Sequence, residues 1–272
     1  MFSKRNFTLL ALSLTVSAAV AQSYGDFRSI SSGEWNNAGI WETYNGSEWE
    51  AAIMYPSSTD GQISVVSGHE IVLTSDEIID ELNVEGKLIL SNKRIMLLDG
   101  NIKVNGSLDI KGRLMCSNNV IAGEGTFSLS EGATILIGSA EGITSSGNSG
   151  NIQTLSRTFS ANAHYVYCGT EAQVTGNGLP TAALNGTLTL DNEKGCSLTG
   201  SLTINNQLVL KEGVFCLNGN TLTMNNGQAI AQQNGTLNLC GGNVAAVEQD
   251  VKVVSPNTLV AGNNSVSDNH SK

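Results

Sequence analysis

The sequence predicts an all-β protein, a parallel β-solenoid of the right-handed β-helix type, closed at its N-terminal end by an aromatic-rich cap. Three observations predict it. A nine-residue apolar pattern recurs at intervals of about 20 residues, the short end of known repeat periods. The chain is rich in Gly, Asn, Ser and Thr but holds only three prolines and 5% aromatics, a mix that suits short strands joined by tight turns. All three tryptophans lie in one segment ahead of the repeats.

The repeat is clearest in Leu82-Asn83-Val84-Glu85-Gly86-Lys87-Leu88-Ile89-Leu90 and Ile102-Lys103-Val104-Asn105-Gly106-Ser107-Leu108-Asp109-Ile110. Apolar residues hold the first, third, seventh and ninth places, and glycine the fifth. Ile121 to Leu129 follows more loosely. Leu202 to Leu210 repeats the pattern, Leu222 to Asn226 begins it again, and Leu188 to Asn192 reads as a shorter variant. Alternation places one set of side chains on one face of a strand. Runs this short bury nothing alone; stacked in parallel on their copies, they build a continuous core, with Gly or Asn supplying the positive φ that a corner needs. Strand spacing of about 4.8 Å gives a rod roughly 40 Å long for nine coils. An antiparallel sandwich is the competing fold, but it carries no fixed sequence period.

The period also orders polar residues. Asn205-Asn206 and Asn225-Asn226 should lie one above the other, as a hydrogen-bonded corner ladder or as a row of ligand amides. Of the five cysteines, Cys196 and Cys216 fall one period apart, either as stacked buried thiols, the reading favoured here, or as a disulfide between coils. The odd count leaves at least one thiol free or paired between chains.

Residues 1–21 read as a secretory signal: Lys4 and Arg5, an apolar stretch from Leu9 to Val20, and small residues at Ala19-Val20-Ala21. Residues 22–62 form the cap segment, 63–242 the solenoid, and 243–272 a polar end expected to be partly disordered. Within the solenoid, Ser75 to Glu81 reads as a solvated acidic corner, and Gly138 to Gly150 as a protruding loop. No later stretch is apolar enough to span a bilayer. With 14 basic and 24 acidic residues, the surface repels phosphate backbones, which argues against nucleic acid as a partner.

The run Phe27-Arg28-Ser29-Ile30-Ser31-Ser32-Gly33-Glu34-Trp35-Asn36-Asn37 through Ile40-Trp41-Glu42 resembles the SGxWxxxxxWE opening of many large Bacteroidetes surface proteins. Asn45-Gly46-Ser47-Glu48-Trp49, Pro56 and Val66 to Leu73 continue the likeness, and in that family these elements precede LxVxGxLxL coils, as here. Tyr165-Val166-Tyr167 and Ala172 to Pro180 resemble a later recurrent element of the same proteins. The resemblance implies a β-helical region of an exported cell-envelope protein. Many such proteins end in a sorting domain; none is recognisable after Asn243, which leads us to expect a longer parent chain or another route of anchoring. The family supplies no catalytic residues.

A search for chemistry gives little. Glycosidases need two carboxylates about 5–9.5 Å apart; Glu124 with Glu131 and Asp76 with Asp80 are pairs of that kind, but nothing marks them out. His69 and His164 read as turn or strand histidines without a catalytic partner. No phosphate loop, metal motif or cofactor motif is present. Trp35, Trp41 and Trp49 are the candidate ligand contacts, since a sugar stacks on a flat aromatic face; packing within the cap is the competing role. The sequence thus reads as a non-enzymatic, structural or adhesin-like surface protein whose partner is an unknown protein or glycan, with a carbohydrate-binding module or polysaccharide-active enzyme as the alternative.

Overall fold

The structure, a computed structural model, describes residues 21–180, 182–225, 230–247 and 253–254. The secretory signal assigned to residues 1–21 therefore lies outside the described residues apart from Ala21. Of the C-terminal end, only 243–247 and 253–254 are described.

The chain winds into stacked coils of short strands. Among the described residues, one sheet runs from the second coil to the top of the stack, contributing one strand per coil and nine in all, from Glu77–Ile79 through Ile95–Leu98, Arg113–Met115, Thr134–Ile137, His164–Tyr167, Thr187–Asp191, Gln207–Glu212 and Ile230–Gln232 to Val253–Val254. Every pairing in this continuous sheet is parallel. That makes the fold a β-solenoid and excludes the sandwich. A second, twelve-stranded sheet forms the other two faces of the lower coils. It wraps both because Ile121–Leu129 continues through the corner, pairing with Ile102 and Lys103 at one end and with Ser107–Ile110 at the other. Higher up, these faces pass to a four-stranded sheet containing Cys196–Ser197 and a three-stranded sheet containing Leu202–Ile204.

Register follows the repeat. Leu82 pairs with Ile102, Leu88 with Leu108 and Leu90 with Ile110, and all six are buried. Leu202 likewise lies against Leu222. Leu188 corrects the sequence reading: it pairs with Tyr165 and Leu208 in the continuous sheet, so it begins another face and is not a copy of Leu202. Apolar alternation alone cannot tell one face of a coil from the next.

The glycine at the repeat's fifth place has a different cause from the one expected. Gly86, Gly106 and Gly125 stack at one corner, where a Cβ on Gly106 would run into the carbonyl oxygen of Gly86, and one on Gly125 into that of Gly106. None of the three has positive φ. Backbone approach, not left-handed geometry, demands glycine there.

At the lower end, Phe27–Ser29 already belongs to the solenoid, pairing in parallel with Ile63–Val65. It also pairs antiparallel with Trp41–Tyr44, which pairs antiparallel with Trp49–Ala51. This meander folds Trp35 and Trp41 over the first coil. Their rings meet edge to face at 5.1 Å. Trp35 donates its indole N–H to Pro56 O at 3.1 Å, and Trp41 donates to Trp35 O at 2.8 Å, so both polar handles are satisfied while the rings seal the core.

Two further expectations are corrected. The acidic stretch read as a corner contains the strand Glu77–Ile79, because Ile79 points into the core. Cys216 is bonded to Cys240, with Cα atoms 5.7 Å apart, and Cys196 is a buried free thiol. The coil between Cys196 and Cys216 is one residue short of stacking them: Cys196 lies against Phe215, and Cys216 against Ser197.

Candidate functional site

The outer surface of the long, twelve-stranded sheet is where polar side chains collect. Its outward column begins at Arg28, which pairs with Ser64, then Asn83, Lys103 and Ala122. Arg28 donates to Glu42 Oε2 from Nε at 3.0 Å and from Nη2 at 2.7 Å. The same guanidinium lies 4.3 Å from the centroid of the Trp49 ring, and Tyr44 packs against Trp49 at 5.4 Å. Trp49 is half-buried, whereas Trp35 and Trp41 are fully enclosed. The structure does not bring the three tryptophans together as a binding face: two are core, and only Trp49 keeps partial exposure.

Beside this column, at the corner where the chain passes from the continuous sheet into the long sheet, lies an open groove of about 650 Å³. Asp80, Glu81, Asn101, Lys103 and Asn119 line it, with Ala122 leaving space beyond Lys103. Several of these groups also build the corner. Asp80 Oδ1 accepts from Glu81 N at 2.8 Å, Asn101 Oδ1 accepts from Val120 N at 2.8 Å, and Asn119 Nδ2 donates to Leu98 O at 2.8 Å. What remains is an ammonium, two carboxylates and spare amide donors and acceptors, a set that can hydrogen-bond a polyhydroxylated ligand.

Elsewhere the surface polar groups bond to one another along the rod. Asn225 Nδ2 donates to Asn205 Oδ1, Asn205 Nδ2 to Asn185 Oδ1, and Asn185 Nδ2 to Asn162 Oδ1, each at 2.7 Å. The expected asparagine stack is therefore a four-rung structural ladder; Asn206 lies against it in sequence, and Asn226 lies outside the described residues. Lys87 bridges Glu70 at 3.2 Å and Asp109 at 3.5 Å. Its hydrogen bond with Glu70 is the main reason its pKa is raised.

The carboxylate pairs considered from the sequence do not converge. Asp76 and Asp80 bracket the strand Glu77–Ile79, and four extended residues span about 13 Å, beyond the glycosidase range. Glu124 lies within the strand Ile121–Leu129, and Glu131 lies two residues beyond its end, seven residues along the chain from Glu124. Burial, more than any neighbour, raises the pKa of Glu77. His69 Nδ1 lies 2.8 Å from Ser29 Oγ, which accepts from Val66 N at 2.9 Å and is buried, so this pair staples a corner. His164 Nδ1 accepts from Thr187 N at 3.1 Å, which places its proton on Nε2 in the neutral ring.

Sequence reasoning missed the groups that fasten the interrupted coil. Asn151 is buried, accepting from Gly138 N and Ser139 N while donating to Ser117 O and Asn119 O. Gln173, also buried, donates to Ile137 O and Ser139 O. Arg157 donates to Thr154 O, Thr144 O, Gly147 O and Ile152 O, and burial lowers its pKa. The Gly138–Gly150 segment thus includes packed structure: Ile143 is buried and its N–H reaches Thr175 O. The signal was available in the sequence, as long polar side chains at the margins of a break in the repeat.

Among the described residues, no three His, Cys, Asp or Glu side chains converge in a way that could hold a metal ion, and no helix is long and apolar enough to cross a membrane. No family model, no curated protein and no solved structure matches the chain.

Proposed function

We propose that this chain is an exported cell-envelope protein, a non-catalytic rod of the structural or adhesin-like kind implied by its resemblance to Bacteroidetes surface proteins. The observation that carries the reading is the continuous nine-stranded parallel sheet, which makes a stiff scaffold able to hold an extended face toward a partner. The leader-like N-terminal sequence and the Cys216–Cys240 disulfide both suit an oxidising compartment outside the cytoplasm. The partner is a protein or a glycan at the cell surface.

A second reading, carbohydrate recognition, is favoured by one place: the half-buried Trp49 beneath Arg28, with the Lys103 groove on the same sheet. Glycan-array binding by the chain from Gln22 onward tests both readings. Binding abolished by Trp49→Ala or Lys103→Ala, with circular dichroism unchanged, would establish carbohydrate recognition. Absence of binding, together with proteolytic removal of the chain from intact cells expressing it with its leader, would support the adhesin-like rod. A chain retained in the cytoplasm would overturn the reading of export.

A further inference from the structure

Six Asn-Gly dipeptides fall among the described residues, beginning at Asn45, Asn105, Asn177, Asn185, Asn218 and Asn234; a seventh, Asn226-Gly227, lies outside them. In such a pair the glycine nitrogen can reach the asparagine Cγ, because glycine has no Cβ in the way. To attack, the amide must first lose its proton, and an amide held by an acceptor exchanges its proton only when that bond opens. Five of the six amides are held: Gly106 N–H donates to Val84 O at 2.8 Å, Gly178 to Ile143 O at 3.0 Å, Gly186 to Ala161 O at 3.2 Å, Gly219 to Cys240 O at 3.1 Å and Gly235 to Leu210 O at 3.2 Å. Each of these bonds joins neighbouring coils, so the stacking itself protects the linkage. Gly46 is the exception: it is exposed, with φ +96°, and its N–H donates to no acceptor among the described residues.

We propose that Asn45-Gly46 is a site of self-modification, at which the folded chain converts Asn45 through a succinimide to isoaspartate and aspartate. Asn45 Oδ1 accepts from Ser47 N at 3.0 Å, Ser47 Oγ at 2.9 Å and Glu48 N at 3.0 Å. The turn thus folds the carboxamide over the Gly46 amide. Its three donors face the oxygen that gains charge when Cγ is attacked, as in an oxyanion hole. Hydroxide takes the Gly46 amide proton, Gly46 N bonds to Cγ, and the Cγ–Nδ2 bond breaks. Nδ2 collects a proton from water and leaves as ammonia, which regenerates the hydroxide. A water molecule then adds across one of the two imide C–N bonds. Opening on one side gives aspartate. Opening on the other gives isoaspartate, in which the main chain runs through Cβ and is one atom longer. Either product exchanges a neutral amide, whose Nδ2 lies 3.4 Å from Glu50 Oε2, for a carboxylate. Asn45 follows Tyr44 in the turn that pairs Tyr44 with Trp49, so the added charge and the extra atom act on the strand that carries Trp49.

The test is ageing of the purified chain from Gln22 onward in mildly alkaline oxygen-18 water, folded and in strong guanidinium, followed by peptide mass spectrometry. In the folded chain Asn45 should take up the label about tenfold faster than Asn105, Asn177, Asn185, Asn218 or Asn234, the factor that one hydrogen bond's free energy supplies. Fragmentation should locate isoaspartate at that position. In guanidinium the other five should rise to the rate of Asn45, since the bonds between coils that hold their glycine amides are gone. Ser47→Ala deletes the hydroxyl donor and should slow Asn45 severalfold in the folded chain alone; an unchanged rate would remove the donors from the mechanism. An Asn45 that stays intact in the folded chain would overturn the proposal, as would folded rates that are equal or fastest at another of the six. A preference for Asn45 that persisted in guanidinium would also overturn it, by placing the cause in the local sequence and not in the fold.

Discussion

The lower and upper halves of the rod keep their coils aligned by different means. In the lower half coil lengths barely vary: Ile63 pairs with Leu82, Leu82 with Ile102, and Ile102 with Ile121. Sheet pairing and the alternating core suffice there, since a slip of one residue would turn every apolar side chain outward. In the upper half the lengths drift. Tyr165 pairs with Leu188, Leu188 with Leu208, and Leu208 with Ile230. There the corners are tied by side chains, through the Asn162–Asn185–Asn205–Asn225 ladder and the Cys216–Cys240 disulfide. Where the repeat is regular it specifies its own register; where it is not, cross-coil bonds supply what periodicity lacks.

The two halves can be separated experimentally because all the tryptophans report on the lower end. The largest effect is expected from Trp35→Ala. This ring is fully buried and its N–H is bonded, so its removal should cost about 3–5 kcal/mol, read as a lowered urea midpoint in far-ultraviolet circular dichroism. The fluorescence of the remaining tryptophans should change in the same transition, since the lid over the first coil is lost. Cys216→Ser is expected to cost somewhat less, about 3 kcal/mol for a closed loop of this length, and to act at the other end. Contacts in a stacked rod reach only the neighbouring coils, so the upper coils should melt first. Circular dichroism would then show a loss that precedes the tryptophan fluorescence change. Coincident transitions in that variant would show that the rod unfolds as one unit and would remove the distinction between the halves.

The same contrast explains what could be read from the sequence. The coils from Leu82 to Ile110 were legible residue by residue, because all four apolar places and the glycine of each unit have a single structural cause. The cap was legible as a cap from its tryptophans, but its composition did not show that Trp35 and Trp41 are enclosed while Trp49 lies beneath Arg28. Exposure of a ring depends on the antiparallel meander of Trp41–Tyr44 and Trp49–Ala51, which no short-range pattern encodes. The groove at Lys103 was not legible at all, since it joins residues from three coils. Leu188 was misplaced because apolar–polar–apolar runs mark strands without naming the face. The run Ile95-Met96-Leu97-Leu98 is apolar on both sides of its strand, and only the register shows that Leu97 aligns with Ile78 and Met115 while Ile95 aligns with Arg113.

The ladder offers a finer test of how the upper half is tied. Asn205 both donates to Asn185 and accepts from Asn225. Asn205→Ala removes two hydrogen bonds near the surface, each contributing about 1 kcal/mol, so a loss of about 2 kcal/mol should appear in the upper-coil transition alone. Asn205→Asp separates bonding from bulk: its carboxylate still accepts from Asn225 but cannot donate to Asn185, so it should lose about half as much. Equal losses for the two variants would mean that side-chain packing, not the ladder, holds this corner.

The smallest effect is expected at Lys87, one of several cross-coil ties in the lower half. Its ammonium bridges Glu70 and Asp109 with 39% of the side chain exposed, and exposed pairs are worth at most about 1 kcal/mol. Lys87→Met keeps an apolar stem of similar length while deleting the charge, so the loss should stay below about 1 kcal/mol and shrink further in high salt. The pH dependence has a definite sign. The folded pKa of Lys87 is raised, so its contribution is complete below the ordinary lysine value and is lost as pH rises through the folded one. The wild-type advantage over Lys87→Met should therefore vanish in strong alkali. A loss near that of Asn205→Ala, persisting in high salt, would mean that the lower half also relies on polar ties and that regular repeats do not by themselves hold register.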